Sequence, residues 1–320
     1  MISSTPIRYE EPWAEVFTSF IQYKRGLGLQ YDRPEFDLMA LSRFLVKTSG
    51  EIYEITQEAA ELWCQRKENE SIKGWSYRSS VYKQLATYLN SRGIRAYIPH
   101  SAKVKIQKYI PHIFTEAEIL RIFQEADRLE LARQSSYPEI MRVVLRLMFS
   151  TGVRISEIAN LNVDDVHLSD AVLFIRESKN RKSRIIPIDR SVANMLQTYI
   201  DSWHGTRTYF FETKRHTAIS RDTAYDLFRK ILFNAEIPHG GRGSGPRLHD
   251  IRHTFAVRSL RNMATQGIDI YTALPYLSVY LGHKSIKETE YYLRLTAEIY
   301  PELEAKISSY TGHVVPEVQA

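Results

Sequence analysis

Over residues 1–98 apolar positions recur at helical spacing. Trp13, Val16, Phe17, Phe20 and Ile21 fall at i, i+3, i+4, i+7 and i+8, one face of a helix that Gly26 and Gly28 terminate. Phe36, Met39, Leu41, Phe44 and Leu45 predict a second helix closed by Gly50. Thr56 is an N-cap candidate for a third helix through Leu62 and Trp63, and Tyr77, Val81, Leu85, Tyr88 and Leu89 predict a fourth that ends at Gly93. The period is then lost, and Pro99 and Pro111 flank a basic stretch, which places an interdomain linker at residues 99–111.

From there the pattern changes character. Thr115-x-x-Glu118 has the capping-box spacing, opening a helix with Ile119, Ile122 and Phe123 on its buried face. Met141, Val144, Leu145, Met148 and Phe149 predict another that stops at Gly152. Asp164 and Asp165 mark a turn, and 171–176 and 184–188 read as two strands joined by a basic hairpin tip. Thr208 to Glu212 suggests a further short strand, after which 222–235, 249–264 and 271–281 are helical. Gly240 to Gly245 is too glycine-rich for either element and reads as a loop. Ser285 stands three residues before Glu288, again a capping-box spacing, so a last helix starts near Lys284 and carries Tyr292 about two turns past its cap. Ala297, Ile299, Leu303 and Ile307 continue an amphipathic pattern towards a tail containing Pro316. The fold class expected is two-domain: an all-α N-terminal domain, then a mainly α, mixed α+β domain at 112–310 with a small antiparallel sheet, and a tail at 311–320.

A length of 320 residues suits two cores. The net charge of +6 is mild, but its distribution is not: between Ser71 and Thr115 there is no Asp or Glu, while Lys73, Arg78, Lys83, Arg92, Arg95, Lys103, Lys105 and Lys108 are positive. Trp75, Tyr77, Tyr82, Tyr88, Tyr97 and Tyr109 are interleaved with them. Such a stretch suggests a DNA-gripping element, with a solvated basic face on an ordinary bundle as the alternative. Lys73, Arg78, Lys83, Lys103, Lys105 and Lys108, with Arg181 and Lys182 from the hairpin tip, are the candidate DNA contacts. The single Cys64 excludes an internal disulfide framework and a zinc site built on several thiolates. With no signal-like N-terminus and no apolar run near the roughly 20 residues of a membrane span, a cytoplasmic, nucleoid-associated protein without membrane contact is expected.

The second half also carries a set of acid–base and cationic residues: Arg154 after a helix stop, Lys179 on the hairpin, His249 and Arg252 three apart on one helix, and His283 ahead of Tyr292. Two guanidinium forks with a lysine and two histidines suit a phosphodiester, whose growing transition-state charge they would neutralise without a metal or other cofactor. Each residue alone is weak evidence, since a lone arginine is most often a surface ion-pair member. The histidine spacing in His249-Asp-Ile-Arg-His253 also invites a zinc-protease reading, but Asp250 replaces the required glutamate and Arg252 would put a cation beside the metal. A hydrogen-bonded core role is the better reading for His253.

Taken together these motifs resemble the tyrosine recombinases, the lambda-integrase-like site-specific DNA recombinases, over nearly the whole chain. Thr151-Gly-Val-Arg-Ile-Ser-Glu-Ile158 is similar to that family's Thr-Gly-x-Arg-x-x-Glu-Leu motif, implying that Arg154 is a phosphate clamp and Glu157 its support. Lys179 matches the hairpin lysine that protonates the leaving 5′-oxygen; His249-x-x-Arg252 and Leu281-Gly-His283 with Tyr292 match the remaining motifs, with Tyr292 as nucleophile. Asn180 stands where many members carry glycine, which leaves Lys182 as an alternative lysine; Tyr291 adjoins Tyr292, and the segment 262–279 is longer than in compact members.

The resemblance further implies a core-binding, SAM-like N-terminal domain and a catalytic second domain. It also implies double-stranded DNA with specific recombination sites as substrate, a 3′-phosphotyrosine intermediate and a homotetrameric synapse, with other recombinases of the same element as candidate partners. Integration, excision or transposition of a mobile element is the role expected. Chromosome-dimer resolution of the Xer type, supercoil relaxation by a topoisomerase-like monomer and a catalytically silent DNA-binding regulator are the alternatives. If the basic 71–108 stretch neutralises phosphates, DNA affinity falls steeply as salt rises. Binding isotherms at several salt concentrations measure this, and a nearly flat dependence would count against that placement.

Overall fold

The computed structural model describes residues 9–49, 53–100, 109–131, 135–176, 183–203, 205–240 and 245–300. The chain divides into two compact units, Met1–Lys108 and Tyr109–Ala320. In the first, helices α1 (Ala14–Gly26), α2 (Asp32–Ser49), α3 (Gln57–Cys64) and α4 (Ile72–Ser91) bury Trp13, Phe17, Phe20, Leu38, Leu41, Leu45, Tyr82 and Leu85. Thr56 caps α3 by accepting from Ala59 N at 3.3 Å, and Ser71 caps α4 by accepting from Gly74 N at 3.0 Å. Residues 55 and 96 form a parallel bridge that returns the chain after α4 to the start of α3.

Three expectations for this unit change. The buried stripe of α2 is Leu38, Leu41 and Leu45; Phe36, two residues before Leu38 and so about 200° round the helix, faces solvent. Leu62 is likewise exposed beside buried Trp63. Arg78 does not project as a DNA contact. Its side chain is 7% exposed and pairs with Glu70 through Nε at 2.8 Å and Nη2 at 2.6 Å. It also donates to the carbonyls of Trp63 and Gln65 and lies over the Trp63 ring. Lys73 is exposed on α4 and Lys83 half-buried, while Lys103, Lys105 and Lys108 lie outside the described residues.

The second unit opens with α5 (Glu116–Asp127), whose Thr115–Glu118 capping box is formed in both directions, and α6 (Tyr137–Thr151), a buried helix ending at Gly152. After a short α7 (Ile155–Ala159) and a 3-10 turn at Val163–Asp165 comes an antiparallel sheet in the order β1 (Val166–His167), β2 (Val172–Ile175), β3 (Arg184–Pro187). Leu173 pairs with Ile186 and Ile175 with Arg184, so Leu173, Ile175 and Ile186 enter the core. Residues 177–182, with Lys179, Arg181 and Lys182, lie outside the described residues.

Helices α8 (Arg190–Asp201), α9 (Arg221–Asn234), α10 (Asp250–Thr265), α11 (Ile270–Leu281) and α12 (Ile286–Ile299) complete the unit. The hydrophobic pattern does not mark α7, α8 or β1. It also places a strand at 208–212 where there is a turn: Phe210 and Phe211 are both buried against Tyr199, which alternating strand side chains cannot achieve. Buried Glu212 ties that turn by accepting from Thr208 N at 2.8 Å and Tyr209 N at 3.1 Å. The long segment 262–279 consists of the end of α10, a turn at Gly267 and most of α11, with Tyr276 and Val279 exposed. Among the described residues no helix is long and apolar enough to cross a membrane.

Because Arg78 is a buried partner and not a surface cation, Arg78→Ala leaves Glu70 without its guanidinium and orphans two carbonyls. The first unit should lose about 3–5 kcal/mol of stability, measured by denaturant unfolding; a loss of binding to DNA with unchanged stability would contradict this.

Candidate active site

Two helix ends converge to make the site's floor. Both α6 and α11 stop in the left-handed conformation, at Gly152 with φ 63° and Gly282 with φ 68°. Only glycine fits there: a Cβ on Gly152 would lie 2.4 Å from the Phe255 ring, and one on Gly282 would lie 2.8 Å from Arg184 Nη1. Helix C-termini end in unpaired carbonyls and the negative end of the helix dipole. Arg252, in the first turn of α10 and 1% exposed, joins the two, donating from Nη1 to Gly152 O at 2.7 Å and from Nη2 to Leu281 O at 2.6 Å. Burial, with Arg154 nearby, brings its pKa down to about 10, which leaves it charged at neutral pH.

Arg154 stands just before α7. Its Nη1 donates to Glu157 Oε1 at 2.9 Å, and longer contacts of 3.5 and 3.4 Å reach Leu281 O and Gly282 O. Glu157 accepts the backbone N–H of Arg154 at 3.1 Å and a bidentate fork from Arg184 at 3.0 and 2.8 Å. Burial alone would push the Glu157 carboxyl up; the bonds and charge of Arg184, with Arg154, outweigh it and hold the group below the usual range. Arg184 was legible only as the first residue of a strand. Nothing in its neighbourhood of Arg176, Lys179, Arg181 and Lys182 marked it out from other basic residues.

Around this floor lie the histidines and the tyrosine. Tyr292, on α12, is 3% exposed within an apolar cluster that includes Val257, Leu260, Leu277 and Leu295. The His283 ring stacks on it with centroids 5.9 Å apart, and His283 Nδ1 is 2.7 Å from Thr289 Oγ1. His253 lies 5.5 Å from the Tyr292 ring and edge-on to His249 at 4.9 Å. The structure thus brings Arg154, Glu157, His249, Arg252, His283 and Tyr292 together from α7, α10, the turn after α11, and α12. Tyr291 is half-buried, with Arg294 at its ring. Helix α12 does start at Ile286, but the Ser285 side chain makes no capping bond.

Burial governs the proton affinities of these groups. The arginines do favour a Tyr292 phenolate, yet burial outweighs them and the phenol pKa is raised above its ordinary value. Loss of hydration first, then the charges of His253, Arg252, Arg154 and His283, push the His249 imidazole down to about 3, although the residue as a whole is exposed. His253 is no hydrogen-bonded core residue, because its buried Nδ1 has no partner among the described residues. Burial and Arg252 bring it down to about 4, and burial with Arg252 and Arg154 brings His283 down to about 3.

Asp250, the residue that would serve a zinc-protease reading, is buried and occupied. Its Oδ2 accepts from the Tyr109 hydroxyl at 2.5 Å, from Arg247 N at 2.9 Å and from His112 N at 3.4 Å, fastening the entry segment of this unit to α10. Among the described residues no three His, Cys, Asp or Glu side chains group as metal ligands.

Since the folded protein holds His253 and His283 below the free imidazole value of about 6.5, both should remain neutral from pH 8 to about 5 without DNA. The unfolded chain takes up protons that the folded one refuses, so stability falls as pH drops below about 6.5. Imidazole nitrogen shifts in a pH titration check the first point and thermal midpoints the second; titration near 6.5 would contradict both.

Comparison with known proteins accords with this geometry. The phage integrase family matches residues 112–298, more than half of the chain. A putative integrase/recombinase, y4rB of Sinorhizobium fredii, is 29% identical over 298 residues, covering 88% of this chain and 93% of its own. The tyrosine recombinase XerA of Pyrococcus horikoshii is 27% identical over 232 residues, covering 70% and 72%. Among solved structures, the XerH site-specific recombinase bound to its difH substrate superposes with a TM-score of 0.60 at 16% identity, covering 89% of this chain and 83% of that one. The Tn1549 transposon integrase in complex with a circular intermediate DNA gives 0.60 at 15% identity, covering 87% and 94%. At those identities the structural likeness establishes the fold. With the family match spanning every described site residue, the chain belongs to the phage integrase family, the tyrosine recombinases.

Proposed function

We propose that this chain cuts and rejoins duplex DNA at specific sites with Tyr292 as nucleophile. One observation carries the reading: the Arg154 and Arg252 guanidiniums act on the buried Tyr292 phenol, the His283 ring stacks on it, and His249 lies beside the same two arginines. The phenol oxygen attacks the scissile phosphorus, the bond to the 5′-oxygen breaks, and the products are a 3′-phosphotyrosine and a 5′-hydroxyl. Lys179 is the proposed donor of the proton that the leaving oxygen needs. A 5′-hydroxyl from another strand then attacks the ester and returns the phenol, so exchange is isoenergetic and takes no nucleotide. The arginine forks neutralise the phosphate, and the proposed chemistry is metal-independent.

The low proton affinity of the histidines without DNA fits a substrate-gated site. An entering phosphate monoanion favours the protonated imidazole. His249 therefore becomes able to take the phenol proton as the phosphate arrives, when the phenol must lose it. His283, held by Thr289 against the Tyr292 ring, is placed to donate to a phosphate oxygen.

Each active site cuts one strand, and two exchanging duplexes have four, which supports a tetrameric synapse on DNA. Clamping of the duplex by the core-binding N-terminal domain, with the basic linker crossing the backbone, belongs to the same proposal. Use by a mobile element belongs to the same proposal; a relative matched over 93% of its own length carries the name putative integrase/recombinase.

A nicked suicide duplex carrying the cognate site tests the reading. The wild type should trap a covalent protein–DNA complex on a denaturing gel, Tyr292→Phe none, and Tyr291→Phe an amount close to wild type. A verified site that gives no Tyr292-dependent complex would rule the reading out.

A further inference from the structure

Arg184 stands where three segments of the site meet. Its Nη1 and Nη2 donate to the two carboxylate oxygens of Glu157 at 3.0 and 2.8 Å, and its Nε donates to Tyr280 O at 2.8 Å. The side chain is 8% exposed. Gly282 packs on the guanidinium so closely that a Cβ there would sit 2.8 Å from Nη1. Glu157 in turn holds Arg154 by its backbone N–H and by Nη1. One planar group therefore fixes β3, the Arg154 turn and the end of α11, from which the chain passes through His283 into the helix bearing Tyr292.

We propose that Arg184 is a positioning residue for DNA cleavage, setting Arg154 in register with the turn that carries His283 and the helix that carries Tyr292. The proposal rests on Tyr292 being the nucleophile. Arg184 is committed to Glu157 and Tyr280, so it acts through Arg154 and the α11 turn and not on the phosphate itself. Lysine cannot replace it: a single ammonium offers no rigid fork for two carboxylate oxygens and a carbonyl at once.

The arrangement has a pH signature. The charged groups facing Glu157 are Arg154 on its own turn, Arg184 from β3 and Arg252 from α10. Burial opposes ionisation of Glu157, and Arg184 is the largest influence against it. Without the fork, Glu157 takes up a proton at higher pH and releases Arg154. Cleavage by an Arg184 variant therefore fails on the acid side at a higher pH than cleavage by the wild type.

The test uses the full chain and the suicide duplex at saturating protein, with single-turnover cleavage followed across pH beside DNA affinity and thermal midpoint. Arg184→Gln should cleave about 10- to 100-fold more slowly, the scale of a reacting group displaced by about an ångström. DNA affinity should change little and the acid limb should move to higher pH. Arg184→Lys, which keeps the charge, should recover only a minor part of the rate. In a Glu157→Gln background, Arg184→Gln should add little further loss and no shift of the limb, because both act through one contact. Wild-type rates in either Arg184 variant would overturn the proposal. So would cleavage, affinity and thermal midpoint falling together with the pH profile unmoved, which marks a merely structural role. A wild type that formed no covalent complex would overturn the nucleophile reading, and the proposal with it.

Discussion

The site depends on a buried guanidinium between two helix ends. Arg252 donates to Gly152 O and Leu281 O, the carbonyls at the C-termini of α6 and α11, and is almost wholly shielded from water. A charge so placed is costly unless its hydrogen bonds are satisfied. Here the partners are carbonyls that a helix terminus leaves open in any case, so each side satisfies the other. The consequence is geometric: α6, which leads into Arg154, and α11, which leads into His283, cannot separate without stranding Arg252.

Glycine makes this convergence possible twice over. Gly152 and Gly282 supply the left-handed backbone that ends each helix, and each lacks the side chain that would strike Phe255 or Arg184. Glu157 extends the framework by taking Arg154 on one side and Arg184 on the other. Arg154 and Arg252 are thus held by backbone carbonyls and one carboxylate on rigid elements, which is what preorganised stabilisation of a transition state would require on the proposed reading.

Burial sets the resting state of the chemistry. Tyr292 lies among aliphatic side chains, and the desolvation of its phenolate exceeds the help of Arg252 and Arg154. Burial likewise disfavours the protonated forms of His253 and His283. If Tyr292 is the nucleophile, as proposed, a cationic site without an anion keeps it protonated and its imidazoles neutral, and a phosphate would supply the missing charge. On the proposed reading, the tyrosine is therefore quiescent until DNA occupies the site.

Much of this was readable in one dimension. Helical periodicity located α1, α5, α6 and α10, since one buried face per helix leaves a regular trace, and Thr56, Thr115 and Gly152 marked ends because capping chemistry is local. The motif spacings named the residues that gather around Tyr292. Other features depended on contacts far apart in the chain. Whether Arg78 meets DNA or Glu70, and whether Arg184 is a strand residue or the support of Glu157, is decided by partners that periodicity does not encode. The paired burial of Phe210 and Phe211 against Tyr199 likewise overrides a strand-like run. Proton affinities belong to the same class. The sequence by itself determined that Arg154, Glu157, His249, Arg252, His283 and Tyr292 belong to one set; only the tertiary structure decided how dry their surroundings are, because burial sums over every element packed around them, and that burial raises the Tyr292 phenol pKa.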